Sequence, residues 1–282
     1  MAQGKAYTQS EEEEEKKKKE NKKKIKKNNR KQIISSENVL SAPIQETICN
    51  YDGTFCTKKL NDTEEILARN ALYQNDKAEG DMIYNGKSAI LNRAALWPNG
   101  VIPFMIDPSL RSVEYIVRQA IEQYHYYTCI RFIPRTNQQN YLRIFNGGGC
   151  YAHVGVTSGE QPVSLGRGCH NVGTAVHELG HSIGFYHEQN RSDRDEFLQI
   201  HWENIALTMR RQFEKLPASQ TVLMNKFDYK SIMIYGERAF AKDGVSKTMT
   251  ALKTNERLTD PYNKPGLSQS DIFRINTLYN CR

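Results

Sequence analysis

Hydrophobic and polar positions divide the chain into three stretches. Up to residue 31 apolar residues are almost absent, and Lys and Glu follow one another in runs. Residues 32–87 are moderately polar and predict one amphipathic helix. Asp62 or Thr63 would cap it, and Ile66, Leu67, Ala71 and Leu72 follow at helical spacing. That stripe is too small to hold a core of its own. From Trp97 onward the chain reads as a packed domain. Val101, Ile102, Phe104 and Ile106 predict a strand broken by Pro103, which a sheet edge or strand end tolerates. Val113, Ile116, Val117, Ala120, Ile121 and Tyr124 recur at three- and four-residue steps, so residues 110–127 should be a helix with a full core stripe. Short strands are expected at Ile130–Ile133, Tyr141–Phe145, Ala152–Val156 and Pro162–Leu165, then a helix over Gly173–Ile183. Beyond His187 the pattern is mostly irregular until a closing helix. Ser268-Gln269-Ser270-Asp271 should cap that helix as a capping box with Asp in place of Glu, and Ile272, Ile275, Leu278 and Tyr279 form its buried side. There is no internal repeat.

Charge sharpens the first boundary. Residues 1–31 hold 12 Lys/Arg and 6 Glu, whereas the rest of the chain holds 27 basic and 26 acidic residues. The basic balance therefore belongs to a tail that lacks the apolar content to offset chain entropy, and disorder is expected there. With Tyr7 its sole aromatic residue, the tail does not predict specific nucleic-acid binding. The six cysteines fall in two even blocks, Cys49 and Cys56, then Cys129, Cys150, Cys169 and Cys281. That points to disulfides and an oxidising compartment, although spacing leaves three pairings open for the later four. Sequons at Asn61 and Asn190 are compatible with export. No apolar signal region lies near Met1, and no 18-residue apolar run predicts a membrane span. The cysteines outweigh the missing signal, so a secreted, extracellular protein is expected, with an incomplete N-terminus or another export route.

The chemistry is concentrated in His177-Glu178-Leu179-Gly180-His181-Ser182-Ile183-Gly184-Phe185-Tyr186-His187-Glu188. On a helix, His177 and His181 are four residues apart, so both imidazoles leave one face and can take two corners of a tetrahedral zinc. Glu178, one residue on, is rotated away from that pair and can act on water without binding the metal. Gly184 can adopt the positive φ that ends a helix, which brings His187 round as a third ligand. The fourth corner stays open, as catalysis requires. The bare H-E-x-x-H pattern arises by chance in roughly one chain in a hundred of this length, and the added Gly and His lower that about a thousandfold.

These residues do not stand alone. The run continues as Gln189-Asn190-Arg191-Ser192-Asp193-Arg194-Asp195 and Trp202-Glu203-Asn204-Ile205, with Ser231-Ile232-Met233-Ile234-Tyr235 downstream. Upstream lie Trp97-Pro98-Asn99-Gly100-Val101-Ile102-Pro103-Phe104 and Glu79-Gly80-Asp81. Over roughly 79–282 the chain closely resembles the astacin family of zinc endopeptidases, within the metzincins. The resemblance implies an α+β, two-subdomain fold: an N-terminal twisted mixed sheet with a backing helix and an active-site helix, then a mostly irregular C-terminal subdomain ending in a helix. It implies one zinc per catalytic domain, held by His177, His181 and His187. Glu178 would be the general base that takes a proton from the attacking water and passes it to the leaving amine. Met233 would form the Met-turn beneath the histidines. Tyr235 would be a phenolic fifth ligand that swings off the metal and donates to the oxyanion. One departure is Ile234, where the family usually has His, so any contact made by that His is lost.

The resemblance also divides the chain into a tail at 1–31, a propeptide at 32–87 and a metalloprotease domain at 88–282. Asp81 resembles the family's aspartate switch, a carboxylate in the open zinc corner. An activating protease would cut near Lys87–Ser88, and the new ammonium of Ser88 would reach Glu188, otherwise a plain surface acid. Family disulfides imply Cys129–Cys281 and Cys150–Cys169, while Cys49 and Cys56 would pair within the propeptide. No accessory module is expected after Arg282. His125, His153, His170 and His201 have no partner spacing and read as structural or surface residues. Arg238 is the candidate for a basic specificity group. The expected product is a zymogen, monomeric, acting on protein or peptide substrates. The alternative is a catalytically silent relative that binds proteins, and the intact ligands, Glu178 and Tyr235 weigh against it.

Overall fold

The apolar stripe around Val117 and Tyr124 organises the molecule. A computed structural model describes residues 46–83, 95–220 and 222–282, and Glu46–Arg282 forms one compact unit. The expected tail and the Lys87–Ser88 junction lie outside the described residues. The stripe folds as a helix at Glu114–Tyr127, preceded by a 3-10 turn at Pro108–Leu110 where Asp107 accepts from the amide of Ser109. The other α-helices among the described residues are Asp62–Leu72, Val172–Ser182 and Gln269–Leu278. In chain order these four are α1 (62–72), α2 (114–127), α3 (172–182) and α4 (269–278).

Six strands form one mixed sheet: β3 (Met82–Ile83), β4 (Val101–Ile106), β5 (Arg131–Pro134), β6 (Tyr141–Phe145), β7 (Cys150–His153) and β8 (Glu160–Leu165). Their order is β3-β7-β8-β6-β4-β5, with β7–β8 antiparallel and the other pairs parallel. Helices α2 and α3 pack together on the sheet, and the Tyr124 hydroxyl ties them by donating to the Val176 carbonyl at 2.6 Å. A buried phenol left without that acceptor would cost about 1–3 kcal/mol. Beyond α3 the chain runs through 3-10 turns and one small antiparallel pair, β9 (Leu198–Ile200) with β10 (Met249–Ala251), before α4. This is the mixed sheet, backing helix, active-site helix and irregular closing part that the resemblance implied.

Several local expectations need correction. Pro103 does not break a strand, and β4 is not at the sheet edge. The Phe104 carbonyl accepts from the Arg135 amide on the β5 side, so the missing N–H of Pro103 faces β6, and there it is tolerated because pairing with β6 begins only at Phe104. The cap of α1 is Asn61, with a capping box to Glu64, rather than Asp62 or Thr63. Ile66 is more than half exposed, and α1 instead buries Ala68, Ala71 and Leu72. The closing helix has the capping box expected from Ser268 and Asp271. Asn190 is fully buried and donates to the carbonyls of Gln212 and Glu214, so it is not an open glycosylation site.

The disulfides join Cys129 to Cys281, Cys150 to Cys169 and Cys49 to Cys56. The last closes a hairpin, β1 (Thr47–Cys49) with β2 (Cys56–Lys58). Among the described residues no helix is long and apolar enough to cross a membrane.

Candidate metal centre

Helix α3 carries the first two histidines on one face. Asn171 caps it by accepting from the Thr174 amide at 2.8 Å. Gly173 lets the first turn lie directly on the chain at Pro261 and Lys264, since a Cβ there would fall 2.0 Å from the Pro261 carbonyl oxygen. The helix ends where expected. Gly184 has φ 111, and its amide returns to the His181 carbonyl. The same turn presents the Phe185 carbonyl to His181 Nδ1 at 2.7 Å.

His177 is oriented from elsewhere. Its Nδ1 faces the Ile232 carbonyl at 2.8 Å, in the segment predicted as the Met-turn. That segment is held from three sides. Asp271 accepts from the Ser231 hydroxyl at 2.6 Å and the Ile232 amide at 2.7 Å. Lys264 Nζ donates to the carbonyls of Ser231 and Ile234 at 2.8 and 2.6 Å. Met233 packs beneath the helix, where a Cβ on Gly180 would sit 2.6 Å from its sulfur. Burial lowers the Lys264 ammonium to about 8. Ile234 is fully buried.

His187 completes the cluster. Its Nε2 lies 3.3 Å from that of His177, which lies 3.1 Å from that of His181. Asp81 faces all three, at 2.9 Å from His177, 3.2 Å from His181 and 3.2 Å from His187. One ligand atom from each of the four residues lies within 4.8 Å of every other. The outer nitrogens of His177 and His181 face main-chain carbonyls, which can only accept, so those nitrogens carry the hydrogen. The inner nitrogens of the neutral rings are then bare lone pairs pointed at one another and at a carboxylate. Such a set repels itself unless a cation sits inside it. A tetrahedral ion with Zn–N bonds of about 2.0–2.1 Å spaces its ligands about 3.3–3.4 Å apart, so the spacing here fits zinc.

Electrostatics divides the two carboxylates. Burial pushes the Asp81 carboxyl up, but positive charge held within the set of His187, His181 and His177 outweighs it and keeps the group well below the usual carboxylate range. Glu178 is pushed well above that range by burial and by the Asp81 charge. Both Glu178 oxygens are buried and have no hydrogen-bond partner among the described residues. A buried carboxyl without partners is costly and marks a site rather than a core. The Tyr235 ring lies 4.3 Å from His187 and 5.9 Å from His177, its hydroxyl raised well above its ordinary range by burial and by Asp81.

Two features were not legible beforehand. Glu79 Oε2 lies 2.8 Å from His187 Nδ1, whereas the Glu79-Gly80-Asp81 run points in sequence only to Asp81. Glu188 is 3 % exposed and is not a surface acid. Arg274 grips both its oxygens at 2.7 Å, Arg191 lies 3.1 Å away, and the Asp228 amide donates at 2.8 Å. A buried carboxylate needs such partners. Charge alternation around Arg191 is a faint signal for that network, and nothing in the spacing identifies Arg274.

Arg238 lines a cavity of about 240 Å³ with Glu65, Arg69 and Asp260, and none of the three histidines borders it. Outside the cluster, the His125 ring accepts from the Phe132 amide, His170 faces the Leu165 carbonyl, and His201 faces the Thr250 hydroxyl.

Comparison with known proteins agrees with this geometry. The profile of the astacin peptidase family matches residues 89–280. The chain belongs to the astacin family. Astacin-like metalloprotease toxin 1 of Loxosceles intermedia is 45 % identical over 212 residues, covering 72 % of this chain and 80 % of that protein. Zinc metalloproteinase nas-6 of Caenorhabditis elegans is 41 % identical over 206 residues, covering 72 % of this chain but 58 % of that protein. Among solved structures, high choriolytic enzyme 1, a hatching enzyme zinc-protease from Oryzias latipes, superposes with a TM-score of 0.63 at 36 % identity. That match covers 68 % of this chain and 97 % of the hatching enzyme. Zinc is therefore the cofactor, and the astacin-family chemistry is that of a zinc-dependent endopeptidase with protein substrates.

Proposed function

We propose that the chain is the latent precursor of this endopeptidase, with His177, His181 and His187 as the zinc ligands and Asp81 as a fourth ligand that keeps the site closed. The observation that carries the reading is burial. His177, His181, Glu178 and Asp81 are each 0 % exposed, and His187 is 1 % exposed. No substrate can reach them while residues 78–83 lie where they do. Those residues belong to the proposed propeptide, 32–87, ahead of a catalytic domain at 88–282.

The blocking segment is seated along its length. Gln74 donates to the Cys150 carbonyl at 2.7 Å, Arg69 to the Gly244 carbonyl at 3.1 Å, and the Ala152 amide to the Asp81 carbonyl at 3.0 Å. Tyr73 hydrogen-bonds Asp260. Glycines at 149 and 168 make room for it, since a Cβ on Gly168 would fall 2.5 Å from the Leu67 carbonyl oxygen. Strand β3 covers the outer edge of β7. Its departure after cleavage near Lys87–Ser88 would leave β7 as an exposed edge, a template for an extended peptide.

Bound zinc supplies Lewis-acid polarisation of a carbonyl and lowers the pKa of water towards about 7. The chain's own groups do the rest. Glu178 takes the proton of the attacking water and returns it to the leaving amine, so its unpartnered oxygens are free for that exchange. Tyr235 donates its hydroxyl proton in a hydrogen bond to the developing oxyanion once Asp81 has left. Met233 and Gly180 keep the helix against the turn that orients His177. Glu188 remains the proposed partner of the Ser88 ammonium, which would enter a network where Arg191 is the weaker of two guanidinium contacts. The disulfides favour a secreted protein.

The test is casein hydrolysis by a chain beginning at Ser88, with and without a zinc chelator, alongside Glu178→Gln. Chelator-sensitive cutting that the substitution removes is expected. A folded, zinc-loaded domain that cuts nothing would favour a silent, protein-binding relative.

A further inference from the structure

The three histidines are not oriented by equivalent partners. His177 and His181 give their outer N–H to main-chain carbonyls of Ile232 and Phe185, both inside the matched domain. At His187 the acceptor is a side chain 108 residues earlier, Glu79 Oε2 at 2.8 Å.

Glu79 reaches that nitrogen at a conformational cost. It is one of four non-glycine residues with positive φ among the described residues, at 51°. Left-handed backbone is disfavoured for a side chain of this kind and persists where the surroundings fix it. Here a tight loop does so. The Ala78 amide donates to the Met82 carbonyl at 3.0 Å, and the Met82 amide donates back at 2.9 Å. Gly80, at φ 104, turns the chain between them, where a Cβ would lie 2.7 Å from the Phe240 ring. The loop thus presents alternate carboxylates to the cluster, Asp81 to the inner nitrogens and Glu79 to the outer nitrogen of His187. The Glu79 side chain keeps 11 % of its surface exposed, against none for Asp81.

We propose that Glu79 is a positioning residue of the latent zinc site, so that the uncut chain retains its metal more firmly than the cut one. The proposal rests on the reading of 32–87 as a propeptide and of the three histidines as ligands. A carboxylate accepting from the outer nitrogen fixes which nitrogen carries the hydrogen, fixes the ring plane and makes the inner nitrogen a better donor to metal. Cleavage and release then remove two carboxylates together, one from the open corner and one from behind the third ligand.

The experiment measures zinc loss from the intact full-length chain to excess chelator, followed with a metallochromic indicator. Wild type is compared with Glu79→Ala, Glu79→Gly and Glu79→Gln. Ala and Gly should shed zinc about 10–100-fold faster, and Gln, whose amide oxygen still accepts without charge, should fall between. After cleavage at Lys87–Ser88 and removal of the propeptide, all four preparations are one protein, so their rates must coincide. Glu79→Gly separates positioning from structure, because it relieves the left-handed strain. Were the side chain idle, Gly would hold zinc as well as wild type or better, and that result overturns the proposal. Equal rates for all intact chains overturn it too. Casein hydrolysis by intact wild type would instead contradict latency, while the four zinc-loss rates would still decide the role of Glu79.

Discussion

If residues 32–87 are a propeptide, as we propose, the zinc set of this astacin-family chain has a permanent half and a removable half, and they are built differently. His177 and His181 sit on a capped helix, and their outer nitrogens meet main-chain carbonyls. Those partners cannot leave without unfolding the domain. Asp81 and the partner of His187 come from a loop between Ala78 and Met82, attached by side chains and by the short strand β3. Main-chain support suits what must survive activation. Side-chain support from a separate segment suits what must be lost.

Disturbing the permanent half at its chemical centre should have the largest effect. Glu178→Gln should lower turnover of the cut enzyme by about 10²–10⁴-fold while zinc content stays at one per chain. Retained activity would remove Glu178 from the role of base.

Next in size is the scaffold. The disulfide Cys129–Cys281 closes a loop with a sequence separation of 152. Replacing both cysteines with Ser should cost about 4–5 kcal/mol on the chain-entropy estimate, measured by denaturant unfolding under oxidising conditions. A cost below about 1 kcal/mol would mean that helix α4 is held by packing alone.

Gly173→Ala should cost about 1–3 kcal/mol, because its Cβ meets main chain rather than a movable side chain. It should also loosen zinc, since the start of α3 must shift. An equal substitution at Gly53, where a Cβ meets nothing within 4 Å, should leave zinc untouched and sharpens the contrast.

The smallest effect is a pH slope. Lys264 titrates at about 8 in the fold because burial disfavours its charge. In the unfolded chain it keeps its proton to about 10.4. Between those values the unfolded state binds more protons, so this residue makes the fold more stable as pH rises. Lys264→Met should remove that slope, read as the difference in urea midpoint between the variant and wild type at pH 8 and pH 10. A difference that does not change with pH would contradict the assignment.

Much of the permanent half was legible in the sequence, and the physical reason is locality. His177, Glu178, His181 and Gly184 lie within eight residues on one helix and its end, so spacing alone fixes their directions. The capping box at Ser268 and Asp271 was equally local, but the second task of Asp271, holding Ile232, depends on a segment 39 residues away. Long-range partners left no trace of that kind. Glu79 reads as an ordinary acid beside a glycine until the loop at Ala78–Met82 brings it to His187. Glu188 reads as a surface acid until α4 delivers Arg274. Pro103 reads as a strand breaker until the staggered pairing of β4 shows where its missing donor falls. Periodicity marked Ile66 as buried, but too little of α1 is covered to bury it.

On the proposed reading, residues 78–83 close a site that is otherwise complete. That closure is tested most directly by comparing casein hydrolysis by the intact chain and by the same protein after cleavage at Lys87–Ser88, each with and without chelator. The intact chain should show background activity, and the cut protein chelator-sensitive activity at least about a hundredfold higher. An intact chain as active as the cut one would contradict it.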